Sequence, residues 1–417
     1  MTIRHPHSRR ICSRRPWHGQ IPCQGGIFAA LLLAGVTACT GHGGTGTSGT
    51  ELRIALNIPL TGAGAPFGLP AKCAWEVVSE EDNRAGGLDV GGKRYPIKLI
   101  IDDNKWDATV TRSAIEKEIS EDKAAIVKTV GDPGDPIIVP VTEEAGVLLI
   151  DSTGNKQFLK KPYRYVIGTW PSPNLMGTPF FKVLLKQEPG IKSAYHIAFD
   201  LQFDRNNAAW AKDAITGLGV EWKGDAFYQT GTVDFTSVLG PAIRANPDVI
   251  ILGSLGADAP AVVSTLRQLG YHGVIASDVV AQSLENVVKG AGADAANGMY
   301  QAELSTYPRS KELENYRNAY ESKCSGGWDA PQGVLFWTEA KFTLEAIKNA
   351  GVIDNPDAIL QAMAHTTIDT PFVAGTPTVA LGGEAEYGRP RELTTPVAVN
   401  QFKDGGYRTI AVLDYAK

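Results

Sequence analysis

Nearly continuous runs of Val, Ile and Leu recur along the chain, with amphipathic stretches between them. Such runs are typical of strands buried on both faces of a parallel sheet. The first half contains LRIALNI, IKLIIDD, AAIVKTV and VLLID, and the second contains SAYHIAFD, DVIILGS and GVIASD. The intervening segment AKCAWEVVSEEDN has helical periodicity, with Trp75 and Val78 at the centre of its apolar stripe. Alternating strands and helices predict an α/β fold with doubly wound parallel sheets.

The segment WPSPNLMG, residues 170–177, separates the two series of strands. Its two prolines, serine and asparagine do not readily continue a strand or a helix, so we predict a hinge there. The C-terminal third is more helical up to about Asn349 and ends in the strand-like pieces PTVAL, TPVAVNQF and RTIAVLDY, which should complete edges in both lobes. We therefore expect lobe 1 to comprise residues 51–172 with about 300–385, and lobe 2 residues 173–299 with about 386–417.

The N-terminal 38 residues differ from the rest of the chain. They contain five arginines and no acid, followed by the apolar run IFAALLLAGVTAC, which is too short to span a ~30 Å hydrocarbon core comfortably. This pattern is typical of an export signal. Its end, VTAC, resembles a bacterial lipobox, so we expect residues 1–38 to be a lipoprotein signal peptide and Cys39 to be lipidated. An ordinary signal peptide with an incidental Cys39 is the alternative.

The Gly-, Ser- and Thr-rich residues 39–50 predict a flexible tether between the anchor and the folded part. We therefore expect an exported protein held by lipid on the outer face of the cytoplasmic membrane. Removing the five arginines leaves 35 basic and 45 acidic residues, a net charge of −10, which argues against a nucleic-acid partner. We expect a monomer. Cys73 and Cys324 can form a disulfide in an exported chain, or remain buried free thiols.

The loop NIPLTGAGAPFG follows the first predicted strand and invites comparison with a phosphate loop. A dinucleotide fingerprint needs a third glycine three residues after Gly64, and that position is Phe67. No Gly-Lys-Ser/Thr triplet follows either. We expect Phe67 to be a wall of a small-molecule cleft, with a core phenylalanine under the loop as the alternative.

Four motifs in order resemble one family, the extracytoplasmic solute-binding proteins of the branched-chain amino acid type that serve ABC transporters. The most specific are NRAGGLDVGGKRYPIKLIIDDNKWDATVTR, with two glycine turns and a strand from Tyr95, and DFTSVLGPAIRANPDVIILGS. PLTGAGAPFG and PVTEEAGVLLIDSTGN match in place and character. The resemblance covers most of residues 51–410. It implies the type I periplasmic binding protein fold, a small-molecule solute in a cleft between two lobes, and ABC permease subunits as partners.

In lobe 1 the resemblance places ligand contacts after the third and fourth strands. Asp132, Pro133 and Gly134 lie near a helix N-terminus, where free N–H groups can bind a carboxylate. Relatives usually have a serine where Asp132 stands; an aspartate would repel a carboxylate and attract an amine, or simply cap the helix. After the fourth strand, the resemblance assigns ligand contacts to Ser152, Thr153, Gly154 and Asn155, although turns favour the same residue types.

In lobe 2 the resemblance assigns ligand contacts to Phe203, Leu255 and Asp278. Leu255 stands where amino-acid binders often have an aromatic residue. Asp278 stands where relatives hold the ligand ammonium with an acid, and helix capping is the alternative. Gln332 and Trp337 are expected at the rim. An amino acid is thus a possible ligand, and an amine, an amide or another small polar solute is nearly as well supported.

Other classes of function have weaker support. The histidines beyond the signal form no metal spacing with another His or Cys, and His196 is expected to be buried inside a strand. No Gly-x-Ser-x-Gly elbow occurs. We therefore expect neither an enzyme nor a bound cofactor or metal. An extracytoplasmic ligand-sensing module for a separate signalling partner remains the alternative function.

Overall fold

The structure, a computed structural model, describes residues 50–131, 134–153, 155–171, 173–324, 328–413 and 415. Its strands are β1 (Leu52–Ile58), β2 (Leu88–Val90), β3 (Lys93–Tyr95), β4 (Ile97–Asp103), β5 (Ile126–Thr129), β6 (Leu148–Asp151), β7 (Val166–Gly168), β8 (Ser193–Phe199), β9 (Glu221–Tyr228), β10 (Val249–Leu252), β11 (Val274–Ser277), β12 (Tyr300–Glu303), β13 (Thr367–Asp369), β14 (Thr378–Gly382), β15 (Glu392–Thr394), β16 (Val397–Lys403) and β17 (Gly406–Leu413). Its helices are α1 (Ala65–Arg84), α2 (Ala108–Ser120), α3 (Asp135–Ala145), α4 (Pro173–Gln187), α5 (Gln202–Thr216), α6 (Thr236–Ala245), α7 (Ala259–Gln268), α8 (Leu284–Ala291), α9 (Ala293–Ala296), α10 (Lys311–Lys323), α11 (Ala330–Ala350), α12 (Pro356–Met363) and α13 (Glu384–Tyr387).

Two large sheets flanked by helices confirm the predicted two-lobed α/β fold. The sheet of lobe 1 has the strand order β13-β14-β15-β7-β6-β5-β1-β4, and that of lobe 2 has the order β17-β16-β12-β11-β10-β8-β9. The central strands run parallel in both. Strands from the C-terminal part of the chain complete one edge of each sheet, as predicted. In lobe 1 they join through the parallel pair of β15 with β7, and in lobe 2 through the antiparallel pair of β16 with β12. A separate hairpin pairs β2 with β3.

Within the described residues, the chain crosses between the sheets after β7, after β12 and after β15. The first crossing lies in the predicted hinge segment, but α4 begins at Pro173, so the prediction that WPSPNLMG resists helix formation is wrong for its second half. Proline is favoured in the first turn of a helix, where its missing N–H would have no intrahelical acceptor. The later crossings follow Glu303 and Thr394, a few residues beyond the boundaries expected near 300 and 386.

The glycine-rich segment between α1 and β4 forms the two predicted turns. All four glycines of GGLDVGG have positive φ, from 60° to 104°, which side chains disfavour. The strand predicted to run on from Tyr95 is interrupted, because Pro96 has no N–H to donate. Tyr95 ends β3, and β4 begins at Ile97.

Helix α1 is fixed within lobe 1 by packing and by a disulfide. Trp75 and Val78, predicted at the centre of its apolar stripe, are fully buried. Cys73 on α1 is joined to Cys324, which follows α10, with Cα atoms 5.9 Å apart. Of the two states that the sequence leaves open for these cysteines, the structure therefore has the disulfide.

The structure bears on only part of the predicted export apparatus. The predicted signal peptide, Cys39 and nearly all of the tether fall within residues 1–49, outside the described residues. Among the residues that are described, no helix is long and apolar enough to cross a membrane.

Candidate functional site

A cavity of about 50 Å³ lies between the lobes, at the carboxyl ends of their parallel strands. Lobe 1 lines it with Phe67, Trp106, Val130, Gly131 and Ser152. Lobe 2 lines it with Leu201, Phe203, Asp204 and Ser254, and Trp170 lines it from the crossing after β7. Ligands of open α/β sheets bind at this end of the strands, so the cavity is the candidate binding site.

Aromatic rings form a continuous wall of this cavity. Phe67 stacks on Trp106 with centroids 5.7 Å apart and an interplanar angle of 26°. The ring of Trp170 meets Phe67 at 6.5 Å and Phe203 at 5.9 Å, both edge to face. Because Phe67 belongs to α1 and Phe203 to α5, the wall continues across both lobes.

The glycine loop before α1 makes room for this wall. A Cβ on Gly64 would lie 2.7 Å from the Trp106 ring, and one on Gly68 would lie 1.8 Å from the carbonyl oxygen of Pro59. Trp106 is also held by its indole N–H, which donates to the Val130 carbonyl at 3.1 Å. These glycines therefore allow close packing around aromatic side chains, in agreement with the rejection of a phosphate loop.

A buried ion pair lies beneath the cavity in lobe 1. The Lys128 ammonium lies 2.8 Å from the Glu339 carboxylate, and both side chains are fully buried. Burial lowers the pKa of Lys128, while Glu339 acts in the opposite direction. The hydroxyl of Ser152, a lining residue, lies 2.7 Å from Lys128 Nζ and 2.8 Å from Glu339 Oε2. Ser152 therefore links the cavity wall to the ion pair.

Lobe 2 contributes a carboxyl group to the cavity lining. Asp204, in the first turn of α5, is fully buried, and its Oδ1 accepts the backbone N–H of Ser254 at 3.1 Å. This bond joins the start of α5 to the loop after β10, so two neighbouring strand ends of lobe 2 are tied together at the cavity.

The residues predicted after the third and fourth strands form a hydrogen-bonded turn. The Thr153 hydroxyl donates to Asp135, and Asn155 Nδ2 donates to Asp135 Oδ2 at 2.7 Å. Gly134 immediately precedes α3, of which Asp135 is the first residue. The predicted contacts Asp132, Pro133 and Gly154 lie outside the described residues. Of this predicted set, Ser152 lines the cavity, and the other described members, Gly134, Thr153 and Asn155, stand beside the lining.

Asp278 is fully buried and is not among the described residues that line the cavity. A Cβ on Gly177 of α4 would lie 3.9 Å from its Oδ2. Burial raises the pKa of Asp278 to about 7, although a backbone N–H and the Asn207 side chain favour the charged form. The role of Asp278 as a ligand contact stays a prediction.

The other predicted contacts divide between the cavity and the core. Phe67 and Phe203 line the cavity. Leu255 is fully buried in the apolar core of lobe 2, beside the lining residue Ser254. Gln332 is buried in the first turn of α11, and Trp337 packs on Phe372 with ring centroids 4.7 Å apart. Neither Gln332 nor Trp337 is among the lining residues.

Sequence reasoning missed several lining residues, notably Trp106, Trp170 and Asp204. Trp106 and Asp204 each follow a predicted strand within a few residues, and that placement is the signal that could have identified them. Trp170 follows β7, a three-residue strand that the hydrophobic pattern did not predict. In the described parts of the chain, no cluster of three or more His, Cys, Asp or Glu side chains could hold a metal ion.

Comparison with known proteins places this architecture among transport proteins. The profile of the family described as "Periplasmic binding protein" matches residues 51–406. The leucine-, isoleucine-, valine-, threonine- and alanine-binding protein of Pseudomonas aeruginosa is 21% identical over 350 residues, which cover 83% of this chain and 89% of that protein.

Two of the matching solved structures illustrate the shared fold. A leucine binding protein from Thermotoga maritima superposes with a TM-score of 0.68 at 21% identity, covering 87% of this chain and 99% of that one. The solute binding protein of an ABC transporter from R. palustris, in complex with benzoate, superposes with a TM-score of 0.71 at 17% identity, covering 87% and 96%.

Proposed function

Because this chain belongs to the periplasmic binding protein family, we propose that it captures a small solute outside the cytoplasm and delivers it to the permease subunits of an ABC transporter. The observation that carries the proposal is the cavity whose described lining residues come from both lobes. Such a site is complete only when the lobes are together, so ligand binding and lobe closure are coupled.

We propose an amino acid, or a related amine or amide, as the solute. The amino-acid-binding relatives support this choice, and so does the carboxyl group of Asp204 at the cavity. In the proposed cycle, the solute first binds one lobe of the open form. Closure then brings Phe203 and Asp204 onto it, and the permease recognises the closed form.

Ligand-dependent thermal unfolding of the purified protein tests this function. The panel would contain amino acids, amines, amides, short peptides and sugars. A ligand present at 100 times its dissociation constant should add about 2.7 kcal/mol to the free energy of unfolding, which raises the midpoint by a few degrees. Trp170→Ala should abolish the shift, whereas Trp222→Ala, outside the cavity lining, should retain it. A shift that survives Trp170→Ala would place the ligand elsewhere.

We further propose a lipid anchor at Cys39, supported by the lipobox-like VTAC that ends the apolar run. Cys39→Ser should release the protein from the membrane fraction into the soluble extracytoplasmic fraction, because the modified thiol is lost. The control is Cys73→Ser, which removes a disulfide partner and leaves the anchor intact. Membrane association that persists in Cys39→Ser would contradict lipidation at this residue.

A further inference from the structure

The described residues at the cavity carry more carboxyl groups than amines. Asp204 lines the cavity, and no Lys, Arg or His is among the described lining residues. Asp135 and Asp151 stand behind the wall, since a Cβ on Gly131 would lie 2.8 Å from an oxygen of each. The electrostatic environment is therefore unfavourable to an anionic ligand.

The buried lysines nearest the cavity are committed to other groups. An ammonium has three N–H donors, and those of Lys128 reach the Thr129 carbonyl, the Ser152 hydroxyl and Glu339 at 2.6 to 2.8 Å. Lys156 donates to the Trp170 carbonyl at 3.3 Å and lies 3.7 Å from Glu392. Each ammonium group already has a carboxylate of the protein as its ionic partner, so neither lysine is placed to balance the charge of a bound carboxylate.

Several N–H donors of the lining are also engaged within the protein. The Gly131 N–H donates to the Ser152 carbonyl at 3.3 Å, and the Ser254 N–H donates to Asp204. The indole of Trp106 donates to Val130. The indole N–H of Trp170 is buried and has no hydrogen-bond partner within the described part of the chain, so this side-chain donor remains for a ligand oxygen.

The lining instead matches a cation. Aromatic faces attract cations through the ring quadrupole, and the attraction strengthens when water is excluded. Extending the proposed function, on which this inference rests, we infer that the cavity takes a small organic ammonium ion. Its charged head lies among Phe67, Trp106, Trp170 and Phe203, with Asp204 as counter-charge. A hydroxyl or carbonyl oxygen on the same ligand accepts the Trp170 N–H.

Isothermal titration calorimetry with choline and its neutral isostere 3,3-dimethyl-1-butanol tests the inference on the unmodified protein. The two probes share shape and hydroxyl group and differ in charge. Choline should bind at least tenfold more tightly than the isostere, and also more tightly than benzoate or leucine. Equal affinities for choline and its isostere, or tighter binding of benzoate or leucine, would overturn the ammonium class and leave the solute-binding function intact.

Two variants locate the counter-charge. Asp204→Asn should weaken choline binding at least tenfold and leave the isostere unchanged, with folding checked by thermal unfolding. Asp200→Asn removes an acid that lies just before α5 and is paired with Arg205, and it should change neither the choline nor the isostere affinity. Unchanged choline affinity in Asp204→Asn would overturn the assignment. Absence of binding by all four probes would also overturn the inference, and the wider thermal-unfolding panel then decides separately whether the protein binds solutes.

Discussion

Glu118 is a buried acid whose ionisation should affect how stability depends on pH. It lies on the inner face of α2, fully buried, where Asn57 Nδ2 donates to both carboxyl oxygens at 3.2 and 3.3 Å. Burial raises the pKa of Glu118 to about 8, and the nearby Asp102 adds to the effect. The unfolded chain releases this proton near pH 4.5, so the folded state holds one more proton than the unfolded state between about pH 4.5 and 8.

Glu118→Gln should therefore flatten part of the pH dependence of stability. The wild-type free energy of unfolding should fall as pH rises through this window, because the folded state must give up a proton that it binds tightly. The glutamine keeps an acceptor for Asn57 and has no proton to lose. Urea denaturation should show the variant gaining about 4 kcal/mol of unfolding free energy relative to the wild type between pH 5 and pH 9, because each pKa unit corresponds to about 1.4 kcal/mol. Glu116→Gln, at an exposed position on the same helix, should show no such gain.

Single residues could be predicted where the backbone alone positions the side chain. Phe67 and Phe203 each lie just past a strand in a pattern that the family resemblance covers, and both line the cavity. Leu255 belongs to the core instead, because the turn after β10 directs Ser254 rather than Leu255 to the cavity. Trp106 and Trp170 are defined by ring contacts between distant elements, which periodicity along one strand cannot reveal.

At the scale of elements, α11 is tied to the rest of lobe 1 by polar contacts of two kinds. Glu339 on its buried face accepts the indole N–H of Trp75 at 2.8 Å and pairs with Lys128 on β5. Lys341, on its partly exposed face, pairs with Glu81 on α1 at 2.7 Å. The first pair is shielded from water, so its loss should cost much more than the loss of the second.

Lys128→Met should cost about 3–5 kcal/mol of unfolding free energy, because it leaves the Glu339 carboxylate buried without its ionic partner. The double variant Lys128→Met/Glu339→Gln should recover much of that loss, since no unbalanced charge remains. Lys341→Met is the matched control on the same helix and should cost less than about 1 kcal/mol. A double variant less stable than Lys128→Met alone would show that the charge pair is not the source of the cost.

Most strands could be predicted because their hydrophobic runs are nearly continuous. LRIALNI and IKLIIDD coincide with β1 and β4. The errors occur at prolines, whose effect depends on position: Pro96 separates β3 from β4, whereas Pro173 begins α4. Proline occurs in both places, and the position of the N–H that proline lacks decides the outcome.

At the scale of the whole molecule, the order of the motifs predicted two lobes and their family, and both are confirmed. The residues at which the chain crosses from one lobe to the other could not be predicted in the same way. The short strand β15 pairs with β7 of lobe 1, and β16, only a few residues later, pairs with β12 of lobe 2. Strands this short have too few residues for their hydrophobic pattern to specify one sheet.

A polar contact between the lobes lies at the start of α11. Asp329 immediately precedes this lobe 1 helix, and its Oδ1 accepts Asn286 Nδ2 from α8 of lobe 2 at 3.0 Å. Desolvation and the nearby Glu303 raise the pKa of Asp329 to about 7, against the opposing effects of Ser283, Asn286 and Arg309. Opening the lobes would remove these surroundings and return the pKa towards its ordinary value of 3.8.

Lobe closure should therefore be accompanied by proton uptake at Asp329. Between about pH 4 and pH 7 the closed form binds more proton than the open form, so lowering the pH through this range should favour closure. Because ligand binding is coupled to closure, the affinity for a ligand without a titrating group should rise severalfold between pH 8 and pH 5.5. Asp329→Asn should remove that part of the dependence, and Asp354→Asn, beyond the other end of α11, should leave it in place. Calorimetric titrations across this pH range measure the ligand affinity of both variants. If the affinity of Asp329→Asn depends on pH as strongly as that of the wild type, the proton is taken up by another group.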